Sequence, residues 1–588
     1  MIRSTVVSAF LFLSLCASTA AAGTRFVNAA LTTGANDGST WANAYQGSNG
    51  LQAAMAVAVS GDQVWCAAGS YKPTTGATRS IYFPLRNGVE IYGGFAGTEI
   101  GLDQRNIALN VTILSADLAG NDGSNIYSDN SFHVIDAAGT NTTAVLDGFT
   151  VRGGNATGAS GNQDRGGGIL CVAGASPTVR NCIFRDNRCN FGGGAGYVNA
   201  SSPVFQDCRF EANQGGSFGG AFDTATNANT VWQRCVFVTN SAARAGAVEI
   251  FGGSNSTLTN CIFYNNTSTG TGGGGAIYIN ASNPVIRHCI VAGNHATSAT
   301  AAGISSTAGV VLSNNIVYFN EASGAQGLLN NVFGGSVSWS CVQGITSGTG
   351  NIGLDPLFVN FGAGNLHLQP NSPCADAGNN ALVPAGTTTD IEGNPRRADD
   401  AGVPDTGAGS APIVDMGAYE LPNTLYSFFC AADGSLATSC PCGNNSAPAG
   451  GRGCLNSDVF SQGALLSAAG TNNPDTVVLT SSDMLASVSC VFLQGNQQNL
   501  NGVVFGDGVR CVAGSLKRLF IKSASGGMAS APGAGDPTIS ARSAALGDTI
   551  APGSQRYYQV YYRDPDLTFC PTPTGNSWNV SSGVIVNW

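Results

Sequence analysis

GGAFDTATNANTVWQRCVFVTN, residues 219–240, is one copy of a pattern that the chain writes six times. Each copy opens on small residues and an apolar one: Gly166-Gly-Gly-Ile169, Gly193-Gly-Ala-Gly196, Gly219-Gly-Ala-Phe222, Ala245-Gly-Ala-Val248, Gly274-Gly-Ala-Ile277 and Ala302-Gly-Ile304. A short apolar run follows: Cys182-Ile-Phe184, Cys208-Arg-Phe210, Cys235-Val-Phe237, Cys261-Ile-Phe263, Cys289-Ile-Val291 and Asn315-Ile-Val317. Three residues beyond each run stands an asparagine: Asn187, Asn213, Asn240, Asn266, Asn294 and Asn320, at intervals of 26, 27, 26, 28 and 26 residues. The cysteines, with Asn315 in the sixth copy, keep the same intervals. One feature held in register over such a period is the mark of a solenoid.

The copies contain no long 3.6-residue periodicity, which excludes helical repeats. They contain short β-rich runs broken by Gly, Asn and Ser. A coil of roughly 26 residues with about three short strands is one rung of a parallel β-helix. Rungs stack about 4.8 Å apart, so equivalent residues lie above one another. Arg209 in the ladder Ile183, Arg209, Val236, Ile262, Ile290, Ile316 marks that position as outward and places the flanking Cys and Phe ladders inward. The asparagines fit a turn whose amides bond along the stack and tolerate left-handed backbone. The glycines fit corners where a side chain would clash or φ must be positive.

These motifs resemble the repeats of polymorphic outer-membrane proteins and related bacterial surface β-helices, over about 160 residues. The resemblance implies an all-β, right-handed parallel β-helix with a pectin-lyase-like fold. It implies no single function, because such repeats build scaffolds with many uses.

Composition agrees with a polar-turned solenoid. Of 588 residues, 81 are Gly and only 10% are charged, while 43% are hydrophobic, too many for a disordered chain. The net charge of −10 speaks against nucleic acid or an anionic membrane as partner. Residues 1–22 read as a secretory signal: Arg3, an apolar Val6–Leu15, and Ala20-Ala21-Ala22 before Gly23. The expected location is therefore secreted or cell-surface. No later stretch approaches the ~18 apolar residues of a membrane span.

Removing Cys16 with the leader leaves 17 of the 18 cysteines, in a compartment that permits disulfides. Cys182, Cys208, Cys235, Cys261 and Cys289 read as buried thiols, because stacked parallel Cβ vectors run side by side and disfavour bridging. Cys430, Cys440, Cys442, Cys454, Cys490, Cys511 and Cys570 fall in a region without repeats and read as disulfide cysteines. The Cys440-Pro-Cys442 spacing does not suit a zinc knuckle.

Along the chain, residues 23–150 read as cap and first coils, 151–325 as regular repeats, 326–424 as closing coils and 425–588 as a separate β domain. Asn49–Ser60 is the expected capping helix, with Leu51, Met55, Ala58 and Val59 on one face. His133 reads as a core or turn histidine. Asp355-Pro-Leu-Phe358, Leu366–Pro373 and Asp415–Glu420 resemble the closing coils of the choice-of-anchor Q family of bacterial β-helices. Leu516–Lys522 and Arg556–Asp564 have strand composition, and an antiparallel β-sandwich is expected around them. Cys440–Gly443, Gly451–Asn456, Val504–Gly508, Arg542–Asp548 and Tyr557–Pro565 look like a C-terminal module of secreted planctomycete proteins.

The densest carboxylates, Asp390, Asp399, Asp400 and Asp405, raise calcium as a candidate ion. They lack the spacing of a dedicated loop, and a solvated closing loop with Arg396 and Arg397 paired to carboxylates is the simpler reading. No other cofactor is expected. Two functions compete. One is a non-catalytic surface scaffold, adhesive or binding glycan or protein. The other is a polysaccharide lyase or glycoside hydrolase acting on uronic-acid polymers, which needs a base with a cation, or two carboxylates, in one cleft. The polygalacturonase set is missing: no Gly-His-Gly or Arg-Ile-Lys accompanies Asp399-Asp400. Asp186 with Glu211, and Arg180 with Asp207, stand close in register, which suits pairing between neighbouring rungs.

Overall fold

Three-residue strands dominate the chain because each corner arrives before a strand can lengthen. In one rung the chain passes through Thr178–Arg180, Ile183–Arg185, Arg188–Cys189 and Gly196–Asn199, then starts the next at Val204–Gln206. A computed structural model describes residues 22–159, 161–270, 272–297, 301–322, 331–369, 372–398, 404–421, 425–447, 450–458, 461–472, 474–551, 554–570 and 577–588. They fall into two compact units: the described residues up to Pro356 with Leu382–Gly393 and Met416–Tyr419, and Leu357–Ala381 with Asn394–Asp415 and Glu420–Trp588.

The first unit is the solenoid. Its three parallel sheets hold twelve, ten and nine strands, and a short fourth ladder adds four. The inward residues are Val179, Phe205, Trp232, Leu258, Ile286 and Leu312 on the first sheet, and Phe184, Phe210, Phe237, Phe263, Val291 and Val317 on the second, all fully buried. The second-sheet phenylalanines stack at 5.3, 4.8 and 4.5 Å between centroids. Such a core excludes water along the whole axis and contributes about 1.5–3 kcal/mol per large side chain.

Two corner ladders hold the stack. At the first, each cysteine thiol donates to a carbonyl of the rung below, as Cys235 Sγ does to Phe205 O at 3.4 Å. All five cysteines are buried and unpaired. At the second, each buried asparagine amide donates both to a carbonyl of the rung below and to the next asparagine. Asn213 Nδ2 reaches Phe184 O and Asn240 Oδ1 at 2.9 Å each, and Asn240 Nδ2 reaches Asn266 Oδ1 at 2.9 Å. The run ends on Asn320, which donates to Asn331 Oδ1 at 2.9 Å.

The left-handed backbone does not lie on these asparagines. It lies on the residue before each: Asp186, Ala212, Thr239, Asn265, Gly293 and Phe319, with φ between 53° and 66°. The residues before the cysteine position repeat this at Asn181, Asp207, Arg234, Asn260, His288 and Asn314. The turn thus aims the following side chain inward, and its bonds along the stack hold the turn. At Gly246 a Cβ would stand 2.0 Å from the carbonyl oxygen of Gly275 on the next rung, so glycine there is a matter of space.

Gly50–Val57 is helical and buries Leu51, Ala54 and Met55 in the solenoid core. It ends earlier than its sequence pattern implies. Ala58 is extended yet buried, and Val59 is 39% exposed rather than part of an apolar helix face. His133 is buried, and its Nδ1 donates to Gly166 O at 2.9 Å.

The outward middle position of the second sheet changes character along the stack. Ile183 and Arg209 are exposed, whereas Ile262, Ile290 and Ile316 are buried. The cause is a strap made by Leu382–Gly393 and Met416–Tyr419. Gly417 N donates to Asn314 O at 2.8 Å, and Asn260 Nδ2 donates to Thr389 O at 2.8 Å. A Cβ on Gly417 would lie 2.8 Å from Ile316 Cδ1 and 3.1 Å from Ile290 Cγ1.

The second unit is an antiparallel sandwich. A five-stranded sheet orders Tyr426–Phe429, Trp578–Asn587, Gln555–Arg563, Ser489–Gly495 and Lys517–Ser523. A three-stranded sheet of Leu465–Ala469, Val478–Ser482 and Ala529–Ala531 packs on it through Leu466, Leu479, Phe492, Tyr558, Val560 and Val584. Disulfides join Cys430 to Cys511, Cys440 to Cys454 and Cys442 to Cys570. Cys490 departs from the expectation. It is a free thiol, buried on the core side of its strand among Leu519, Tyr562 and other apolar residues, and the other six cysteines between Cys430 and Cys570 are consumed by one another.

Candidate functional site

The outer face of the third sheet carries the densest chemistry of the solenoid. Period-2 alternation turns Val248 and Ile250 inward and Glu249 outward, and the register stacks Leu170, Tyr197, Asp223, Glu249, Tyr278 and Ser305 in one column. Two carboxylates therefore sit on adjacent strands about 4.8 Å apart. Their signal was in the sequence: each is the residue after the apolar position that closes the small-residue opening. Asp223 and Glu249 share that register, whereas Glu211 stands opposite Arg185, one position from Asp186.

Two arginines from the loops that precede the openings close over this column. Arg244 grips both oxygens of Glu249, with Nε at 3.1 Å from Oε2 and Nη2 on Oε1. Its guanidinium lies 4.2 Å from the Phe218 ring centre and 4.9 Å from that of Tyr278. Arg165 lies 4.0 Å from Phe191 and 5.0 Å from Tyr197, and donates to the Tyr197 hydroxyl at 3.2 Å. Phe191 and Phe218 meet edge to face at 4.7 Å.

Asp223 and Glu249 are 4% and 1% exposed. Burial, reinforced by the Glu249 charge, pushes the Asp223 carboxyl up to about 7, against the pull of Arg165 and Arg244. Burial also raises Glu249, with Arg244 opposing. The Asp223 carboxyl accepts no hydrogen bond among the described residues, and its Oδ2 lies where a Cβ on Gly192 would come to 2.2 Å. Two carboxyls on adjacent rungs are what acid–base chemistry on a glycosidic bond needs. Here both members lie beneath arginine and aromatic rings, so neither presents its oxygens to a polymer on this face.

Other outward charges of the solenoid close on one another in small sets. Arg180 bonds Asp147 of the rung below at 2.6 Å, not Asp207 as register alone implied, and Arg105 joins the same carboxylate at 2.8 Å. Asp207 pairs instead with Arg234 of the rung above, through bonds of 2.6 and 2.8 Å. Asp186 and Glu211 are linked through Arg185, at 3.0 and 3.9 Å, and Arg209 reaches Glu211 at 2.6 Å.

The candidate calcium carboxylates do not assemble. Asp390 is buried in the strap, where its Oδ1 accepts the Glu392 amide at 2.9 Å, and Asp405 is exposed in the second unit. Asp399 and Asp400 lie outside the described residues. Among the described residues no three His, Cys, Asp or Glu side chains form a group able to hold a metal. The closing loop is not the solvated one that its composition implies: Arg396 is buried, donating to Asp415 O at 2.8 Å and facing Glu420 at 3.6 Å. Arg397 bonds the carbonyl of Asn380 at 3.0 Å, not a carboxylate.

A family model described as right handed beta helix region matches residues 103–271 and 228–352. The fold is a right-handed parallel β-helix. No curated protein matches the chain. Among solved structures, pectate lyase Pel9A shares 13% identity over 68% of this chain and 97% of its own, with a TM-score of 0.36. The alginate lyase from Paenibacillus sp. str. FPU-7 shares 13% over 54% of this chain and 99% of its own, with a TM-score of 0.25. Likeness at this level does not inform the chemistry of this chain. No helix among the described residues is long and apolar enough to cross a membrane.

Proposed function

We propose that this protein is an exported, non-catalytic β-helix scaffold that offers its outer sheet faces to polysaccharide or to a surface protein. One observation carries the reading: Asp147, Asp207, Glu211 and Glu249 are each held by an arginine, and the stacked carboxyl pair of the described residues, Asp223 and Glu249, is covered. A lyase or glycosidase keeps such groups open to substrate in a single cleft. Export is supported by the leader-like residues 1–22 and by three disulfides in the second unit.

The test is incubation of the purified protein with pectate, alginate and chondroitin, with and without calcium, read by unsaturated-product absorbance and by reducing ends. No turnover is expected, together with co-sedimentation on at least one insoluble polysaccharide or surface preparation. Turnover that disappears in Asp223→Asn or Glu249→Gln would replace the scaffold with an enzyme.

A further inference from the structure

The outer face of the five-stranded sheet in the second unit carries a groove of about 440 Å³, within the range of small-ligand sites. Cross-strand register builds its floor. Ile521 stands opposite Val491, Val491 opposite Tyr561, and Arg563 opposite Trp578, so apolar and aromatic groups line up across four strands. The hairpin Gln497–Ala513 adds Phe505, whose ring meets Tyr561 at 5.7 Å and Trp578 at 6.2 Å. Ile521 is 73% exposed, unusual for an isoleucine in the middle of a strand.

The rim is cationic in a protein of net charge −10. Arg518 and Arg563 line the groove, and among the described residues no Asp or Glu does. Arg563 donates to Ser577 Oγ at 2.7 Å, and neither arginine pairs with a carboxylate among the described residues. Arg510 stacks 5.2 Å from Phe505, with its Nε buried and unbonded.

We propose that this groove binds an acidic oligosaccharide of two or three sugar rings. The aromatic and aliphatic floor matches the apolar C–H faces of pyranose rings. The guanidinium forks match carboxylate or sulfate groups displayed at the ring edge, which they grip in a two-bond geometry. A neutral sugar would leave the arginines unused, and an apolar peptide would leave them desolvated without a partner. The groove's role is independent of the solenoid's, since each is read by its own assay and its own variants.

The experiment is calorimetric titration of the full chain with trigalacturonate, a chondroitin-sulfate tetrasaccharide and cellotriose, at low and high salt. Binding of at least one acidic probe is expected, at least tenfold tighter than cellotriose and weakened by salt. Arg518→Glu with Arg563→Glu, both at exposed positions, should weaken it at least tenfold while near-ultraviolet dichroism stays unchanged. Tyr561→Ala should weaken both acidic and neutral probes. Trigalacturonate carries carboxylates alone and the chondroitin-sulfate probe carries both carboxylate and sulfate, so binding of both assigns the site to carboxylate and binding of the second alone assigns it to sulfate. The proposal is overturned by no binding of either acidic probe, by binding indifferent to the double arginine variant, or by sedimentation showing that the groove is buried between two copies of the chain.

Discussion

Asn240 sits mid-run in the amide ladder, giving to Phe210 O and Asn266 and receiving from Asn213. Asn240→Ala leaves those buried groups without partners, and a loss of about 2–4 kcal/mol follows. Urea unfolding checks this, and a loss below ~0.5 kcal/mol would mean that the ladder is decoration. Asp223 makes a prediction of the opposite sense. Its carboxyl holds a proton up to about 7 in the fold but releases it in the ordinary carboxylate range when unfolded. The stability tied to this site is therefore complete below that range and is lost as pH rises through about 7. Asp223→Asn should match wild type at about pH 4 and exceed it by on the order of 2–4 kcal/mol near pH 8. Parallel melting curves for the two proteins across that window would contradict the assignment. At this scale the spacing of Cys and Asn was legible, and their inward facing followed from Arg209. The left-handed turns were not legible, because Arg234, His288, Thr239 and Phe319 are not residues that ask for them. The bonds formed by the following side chain hold them there.

The strap over the second sheet is the element whose position matters most for the solenoid's surface. It covers Ile290 and Ile316 at positions that are solvent-facing lower in the stack. Gly417→Val forces a branched side chain against both isoleucines at φ 95°. A destabilisation of ~1–3 kcal/mol is expected, with faster proteolysis confined to the 382–419 region. Unchanged proteolysis would show that the strap adapts without lifting. No period announces this element, since it returns to rungs roughly 100 to 130 residues earlier in the chain, as Asn260 bonding Thr389 shows with a separation of 129. The capping helix was legible from its apolar spacing over Leu51 and Met55. Its end was not, because Ala58 stays buried in an extended backbone.

For the whole molecule, covalent and non-covalent stabilisation are separated between the units. Among the described residues the eleven free cysteines are buried thiols, nine of them in the solenoid unit and Cys374 and Cys490 in the second, while the three disulfides all lie between Cys430 and Cys570. Cys442–Cys570 spans 128 residues and Cys430–Cys511 spans 81, each contributing roughly 3–5 kcal/mol by restricting the unfolded chain. Calorimetry with a reductant should lower the transition of the sandwich and leave that of the solenoid in place. A solenoid transition that falls equally would contradict this division. By itself the sequence determined the rung period, the ladders and the β-helix, because a solenoid's contacts are between neighbours in register and repetition writes them openly. Only the tertiary structure decided which charges meet, that Asp223 and Glu249 are sealed, which of the seven cysteines from Cys430 to Cys570 stays free, and that Arg518 and Arg563 share one groove with Phe505, Tyr561 and Trp578. Those contacts join residues from distant strands and loops, where no period relates one position to the other.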